Sequence, residues 1–404
     1  MRHLDIAVCG CGPAGLAAAT LLRRVGHRVR IFERFATPRA VGSGLILQPT
    51  GLGVLSEMGL ARDLMALGAR IDRLFGRVLP SNRVVLDVRY SALGSGWHGV
   101  AVHRSALFDI LYRAAIAANV EIVPGTEIGA ADRSSTRVQL LSKTGARLGS
   151  FDLVVDALGA RSPLAAGLAR RTVLPYGALW ANISFPAQAS LSGNALEQRY
   201  YRASRMAGIL PIGKTDATGI PLAAFFWSLR RDQLEAWRAR PLAEWKHEVE
   251  RLWPEAAAAI DSLVDHEQLV FAQYDHFTAR APYSDRLVHI GDAAHSTSPQ
   301  LGQGANMAML DALALSRALQ LQRSLPEQLR HYARMRYWHM RLFQAASAIF
   351  TPFYQSDSRV LPIVRDWFAA PLSRLPIGDA ILARLVCGMT VSPLMKNNFT
   401  AFRS

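Results

Sequence analysis

At 404 residues the chain is long enough for two or three domains, and its hydrophobic share of 50% supplies a sizeable core. Three cysteines, Cys9, Cys11 and Cys387, are too few for a structural zinc site or a disulfide framework, so we expect no metal and a reducing, cytoplasmic setting. The net charge of +15 comes mostly from arginine, since only four of the 46 basic residues are lysine; these arginines are scattered, accompany no nucleic-acid-binding signature and point away from such a partner.

The first element predicted is an apolar strand from Leu4 to Cys9, followed directly by Gly10, Gly12 and Gly15 in G-x-G-x-x-G spacing. Ala14 to Val25 then has helical length and composition, Gly26 ends it, and Val29 to Phe32 reads as a second buried strand closing on Glu33. This is a βαβ unit for a dinucleotide. Gly10 permits the tight turn, Gly12 lets backbone approach a pyrophosphate, Gly15 allows close helix packing, and Glu33 is placed for a ribose hydroxyl. No apolar run reaches membrane-spanning length, and the Gly-Pro inside the first apolar stretch argues against a signal peptide.

Between about 176 and 229, β-rich runs alternate with turn residues and suggest an antiparallel sheet whose aromatics Trp180, Phe185, Tyr200, Tyr201, Phe225 and Trp227 could line an apolar pocket, with Trp180, Tyr201, Phe225 and Trp227 the candidates for touching substrate. Residues 233 to 264 look helical, with a break at Trp253-Pro254. Arg286 to Ile290 reads as a strand, Gly291-Asp292 as its end, and Ala305 to Leu319 as a long helix entered from a loop rich in glycine, serine and proline. Such a loop gathers backbone N–H groups around an electron-rich ligand, and Asp292 suits polyol hydroxyls. A helical tail follows beyond about 325. In it Arg330, Arg334, Tyr337 and Arg341 share one face, read chiefly as solvated, and the apolar stretch near the end suits a cap, a dimer surface or a peripheral membrane contact.

With GCGPAG, the strand ending in Glu33 and GDAAHSTSPQLGQGANMAMLDA (291 to 312), the sequence resembles the FAD-dependent aromatic monooxygenases of the para-hydroxybenzoate hydroxylase type. RAVGSGLILQPTGLGVLSEMGL (39 to 60) and HRSALFDIL (103 to 111) resemble two further stretches of that family. The resemblance implies that Gly10, Gly12, Gly15 and Glu33 hold the adenosine and pyrophosphate of FAD, with Arg34 and Arg39 in the same neighbourhood and Arg104 along the ribityl and phosphate region. It further implies Asp292 at the ribityl or phosphate portion, Pro299 near the flavin ring, and the backbone from Gly302 through Gly304 and Ala305 to Asn306 at the pyrimidine end. His295 is a candidate base. One departure stands out: the family's alanine-aspartate-glycine reads Ala157-Leu158-Gly159 here, with Asp156 two residues before the expected position, which puts nicotinamide use in question.

The expected fold is therefore α/β (α+β): a Rossmann-like FAD-binding domain from 1–70, 100–170 and 281–325, an antiparallel-sheet substrate domain from 71–99 and 171–280, and a C-terminal helical region from 326–404. The expected function is hydroxylation of an aromatic or electron-rich hydrophobic small molecule with NADPH or NADH and O2, through a flavin C4a-hydroperoxide, by a monomer or homodimer. An FAD-dependent reductase or dehydrogenase of an isoprenoid or lipid, and a non-catalytic flavin-binding protein, are the alternatives.

Overall fold

The computed structural model describes residues 3–40, 42–133, 136–185, 191–373, 375–394 and 399–403. A six-stranded sheet forms the first layer. Its four parallel neighbours are Leu153–Asp156, Asp5–Cys9, Arg28–Phe32 and Glu121–Val123; Leu287–His289 extends it in parallel and Tyr283–Ser284 closes the edge antiparallel. These strands are short and almost wholly apolar because helices cover the sheet, as in Val8, Ile31 and Val155, all fully buried. The chain leaves the strand Asp5–Cys9 to one side and returns to its other side at Leu153–Asp156, so the strand order reverses there. In open α/β sheets a crevice for ligand opens at the carboxyl ends of strands at that point.

The helix Pro13–Arg24 starts at Gly12, and the helix Gly304–Leu319 packs closely beside it. Small residues permit that approach: Ala14, Ala17, Ala18 and Ala308 are in the shared core. A three-stranded antiparallel sheet, Ile128–Arg133, Val138–Ser142 and Arg147–Phe151, is inserted before Leu153–Asp156.

The second layer is a seven-stranded sheet in the order Val270–His276, Thr172–Ser184, Leu222–Arg230, Arg205–Gly213, Ala195–Tyr201, Arg73–Val78, Arg83–Arg89. Every neighbouring pair is antiparallel except Ala195–Tyr201 with Arg73–Val78. Successive side chains point to opposite faces of a strand. Leu179, Phe225, Trp227 and Leu229 accordingly pack away from the first layer, against Trp237, Trp245 and Trp253 of the helical segment, while Trp180, Tyr200 and Phe226 belong to the opposite face.

The tail is an integral part of this body. Its long helix Leu325–Tyr354 packs on Gly304–Leu319 and contributes Leu329, Tyr332 and Met335 to the main core. The helix Pro376–Val386 then returns over the large sheet, placing Ala383, Val386 and Cys387 in a core with Leu210, Ile212 and Ala224. Among the described residues no helix is long and apolar enough to cross a membrane.

Candidate active site

The glycine turn after the strand Asp5–Cys9 is dictated by contact. Gly10 has φ +105°, and a Cβ there would lie 2.5 Å from the carbonyl oxygen of Ala157; a Cβ on Gly15 would meet the carbonyl oxygen of Gly10 at 2.0 Å. Gly12 differs, since nothing lies within 4 Å of its Cβ position. The first two glycines therefore serve packing, and the third leaves room at a helix N-terminus for an anionic group to approach backbone. Glu33 supports the turn from below: its carboxylate accepts from the backbone N–H of Cys11 at 2.9 Å and of Phe35 at 2.9 Å. Cys9 and Cys11 are buried, and burial pushes both thiols up, Cys11 to about 12, so neither is a thiolate nucleophile.

A single cavity of about 860 Å³ runs from this turn to the large sheet. At the first-layer end it is lined by Pro13, Ala14, Arg104, Gly159, Asp292, Pro299, Gly302, Gly304 and Ala305. Arg104 opens the helix Arg104–Ala117 at the end of the strand Gly99–His103 and lies against Gly42, whose added Cβ would meet the arginine Cδ at 3.0 Å. Protein surrounds both Arg104 and Asp292 except where each presents surface to the cavity. That enclosure lowers the arginine's pKa and raises the aspartate's, while their mutual attraction opposes both shifts. Asp292 Oδ1 is 4.0 Å from the Cβ position of Gly304, so the acid stands beside the start of the helix Gly304–Leu319.

At the other end the wall is the sheet face defined by alternate residues: Ala178, Trp180 and Asn182; Leu196, Gln198 and Tyr200; Met206 and Leu210; Phe226; and Tyr274. Trp180 and Phe226 are directly paired across strands, with ring centroids 4.8 Å apart. Trp180 donates its indole N–H to the Tyr274 hydroxyl at 2.7 Å, and burial raises the pKa of that tyrosine. The Tyr274 oxygen accepts there, so its own proton is free to be given elsewhere.

The sequence-level candidates divide clearly. Trp180 lines the cavity; Phe225 and Trp227 sit one residue out of phase, buried on the far face, and Tyr201 is likewise out of phase and 41% exposed. Aromatic character was the signal; strand alternation keeps Tyr200, one of the pocket aromatics, and adds Phe226. His295 does not line the cavity: it is buried with Nε2 2.5 Å from Asp311 Oδ2. Asp311 also accepts from Arg336 Nε at 2.7 Å and from Gly291 N at 2.9 Å. Burial alone would raise the Asp311 pKa, but the His295 and Arg336 charges hold it well below the carboxylate range. His295 thus belongs to an internal knot joining three elements.

Asn306 is fully buried, and its side chain ties the backbone of Gln48, Ile46 and Gly302 together. Arg34 and Arg39 flank the Phe35 ring at 4.7 and 4.9 Å, outside the cavity lining. Asp156 offers no replacement for an acid at position 158. It is fully buried and accepts from Ser162 Oγ at 2.6 Å, from Leu158 N at 3.1 Å and from His289 Nδ1 at 2.7 Å. Leu158 itself packs against the cluster containing Phe151 and Leu287.

Two cavity groups carried no sequence signal. Gln48 has its Oε1 engaged by the Tyr90 hydroxyl at 2.6 Å, while its buried Nε2 has no partner among the described residues and lies 3.6 Å from the Cβ position of Gly302. Arg365, from the tail, lies against the contacting rings of Tyr200 and Tyr354, 5.1 and 5.3 Å from their centroids. Its Nε and Nη1 donate to Asp366 and to the Phe353 carbonyl, and its buried Nη2 has no partner among the described residues.

An open cradle at a helix N-terminus, an arginine and an acid beside a second helix start, and a volume continuing past both fit a dinucleotide with a redox ring at its far end. Comparison with known proteins identifies which. Residues 3–340 match the family model described as an FAD binding domain.

The chain belongs to this FAD-binding family.

Among its relatives, 3-amino-4-hydroxybenzoate 2-monooxygenase of Streptomyces cremeus is 28% identical over 359 residues, covering 83% of this chain and 84% of that protein. Aurachin C monooxygenase/isomerase of Stigmatella aurantiaca is 24% identical over 400 residues, covering 97% and 99%. The solved structure of 2-methyl-3-hydroxypyridine-5-carboxylic acid oxygenase superposes with a TM-score of 0.76 at 21% identity, covering 95% of this chain and 97% of that one, and shares the fold. The flavoprotein is thus an FAD-dependent monooxygenase of the aromatic hydroxylase type, with NAD(P)H as co-substrate.

Proposed function

We propose that this flavoprotein hydroxylates an apolar aromatic small molecule bound against the even-numbered face of the large sheet. The observation that carries the reading is the continuity of one cavity from the dinucleotide cradle to that face. Bound FAD, once reduced by NADPH or NADH, supplies the activation of O2 from which one oxygen atom passes to the substrate ring and the other leaves as water.

The chain's own contribution is placement. Gly10, Gly12 and Gly15 form the pyrophosphate turn, Glu33 is the ribose acceptor behind it, and Arg34 and Arg39 flank the adenosine side. Arg104 and Asp292 hold the ribityl and phosphate portion, Pro299 packs near the ring, and backbone from Gly302 to Ala305 meets the pyrimidine end. The N-terminus of Gly304–Leu319 directs a positive dipole end at that region and favours negative charge on a reduced ring. Gln48 Nε2 is a further donor there.

On the substrate side, Trp180, Met206, Leu210 and Phe226 exclude water from the reacting ring. Tyr274 gives its hydroxyl proton to a substrate or cofactor oxygen, and Arg365 Nη2 meets an acceptor at the distant end of the substrate. No histidine lines the cavity among the described residues, so a phenolic proton leaves to solvent and not to His295. We place the protein in the cytoplasm as a monomer or homodimer, with a peripheral membrane contact developed below.

Purified protein carrying FAD, mixed anaerobically with NADPH and then NADH, tests this reading. Flavin bleaching accelerated by one member of a panel of phenols, quinolones and polycyclic aromatics supports it. Bleaching with either nicotinamide that no aromatic compound accelerates, together with reduction of an isoprenoid quinone, contradicts it in favour of a reductase.

A further inference from the structure

Among the described residues, 361–368 and 377–381 present an apolar face that no other element covers. The helical turn Leu361–Val364 continues through a wider π-helical turn, Arg365–Ala369. Ile363, Trp367 and Phe368 point outward at 54%, 61% and 64% exposure, whereas Pro362 and Arg365 are buried beneath them. On the following helix Pro376–Val386, Ile377 and Ile381 are 77% and 56% exposed one turn apart, while Ala383 and Val386 face the core. An exposed apolar patch of this kind marks an interaction surface.

We propose that this face seats on an anionic lipid surface, bringing the cavity end lined by Ile381 against the lipid. Three observations select that occupant. Exposed Arg359 and Arg384 flank the apolar face, and Arg83 stacks on the Trp367 ring at 3.6 Å, where a cation beside an indole suits the headgroup boundary. Two of the nearby acids are engaged, Asp366 accepting from Arg365 and Asp357 from Arg230, while Asp379 keeps one carboxylate oxygen buried without a hydrogen-bond partner among the described residues. The whole chain carries +15, which repels a second copy of itself and is attracted to a negative surface.

Continuity with the cavity gives the contact a purpose. Ile381 is both exposed on this face and part of the cavity lining, together with its neighbours Gly378 and Leu382. A lipophilic aromatic compound dissolved in the bilayer would meet a mostly apolar wall, including Leu382, Leu385 and Leu86, with Arg365 and Gln198 as polar groups in the same lining as Phe226. This consequence rests on the monooxygenase reading; the docking surface does not.

The test is co-sedimentation of the full, FAD-loaded chain with vesicles of phosphatidylcholine alone or mixed with phosphatidylglycerol. Wild type is expected to pellet with the mixed vesicles and to be released by salt, and the double variant Ile363→Glu, Phe368→Glu to bind about tenfold more weakly. Val264→Glu, 80% exposed beyond the large sheet, should bind as wild type. If the double variant loses its yellow colour, Ile377→Glu takes its place and is held to the same expectation. Failure of wild type to bind, or equal binding by the variants, overturns the proposal. So does a wild-type dimer that the double variant dissociates without lipid, which would assign the face to a second copy. No turnover is measured, so a negative hydroxylation result leaves this outcome independent.

Discussion

Phe225 and Phe226 are adjacent and chemically identical, yet the pleat of one strand gives them different work. Phe225 is fully buried with Trp245 across an edge-to-face contact, so Phe225→Ala should destabilise the fold by about 3–5 kcal/mol in denaturant titration and leave KM little changed. Phe226→Ala removes part of the cavity wall beside Trp180. It should raise KM for the aromatic substrate about tenfold, roughly 1.4 kcal/mol. Gly12→Val would place side-chain atoms in the open space of the cradle. The variant is expected to fold, as circular dichroism would show, but to bind FAD at least about tenfold more weakly by absorbance. At this scale the glycine turn was legible, because Gly10 and Gly15 obey close backbone contacts that recur with the motif. The substrate wall was legible only as aromatic content, since composition does not reveal strand phase: Trp180 lies on the cavity and Phe225, Trp227 and Tyr201 do not.

Among elements, the tail shows how far a local reading reaches. Its helical character was readable from 325 onward, but its closure of the site depends on contacts distant in sequence. His339 is within 2.9 Å of the Gly388 carbonyl, Arg336 donates to the Pro393 carbonyl at 2.6 Å, and Gln303 donates to Val386. Arg336 Nη1 lies 3.3 Å from His339 Nδ1; because arginine only donates, Nδ1 accepts and Nε2 carries the proton given to Gly388. Burial and the Arg336 charge lower the His339 pKa to about 3. The unfolded chain therefore binds a proton on this residue below about pH 6.5 that the native protein refuses until about pH 3. Stability should fall through that window as pH decreases, by up to about 1.4 kcal/mol per pH unit from this residue, and His339→Gln should flatten the dependence of Tm on pH. Gly388 has φ +78°, and an added Cβ would lie 2.6 Å from Thr50 Oγ1. Gly388→Ala should consequently cost about 1–3 kcal/mol and loosen the tail, read as faster amide exchange across 376–388.

For the whole molecule, the parallel βαβ core was recoverable because its short strands, two arginines in Arg28–Phe32 notwithstanding, are mainly apolar and flank a helix opened and closed by glycine. The partner strands Arg73–Val78 and Val270–His276 were harder to read: they mix charge with apolar residues, as in RLFGRV, and pair with segments about ninety or more residues away. Arg365 shows the same limit, as one of several arginines in the tail becomes a cavity group only once the tail folds back over Tyr200. The central claim concerns the fate of oxygen in the cavity that these distant segments enclose. Its most direct measurement is turnover with NAD(P)H and isotopically labelled O2 on the aromatic compound that accelerates flavin reduction. The account predicts one labelled oxygen atom in the product, formed about tenfold more slowly by Phe226→Ala at subsaturating substrate. An unlabelled or merely reduced product, with the labelled oxygen recovered only as peroxide or water, would contradict it.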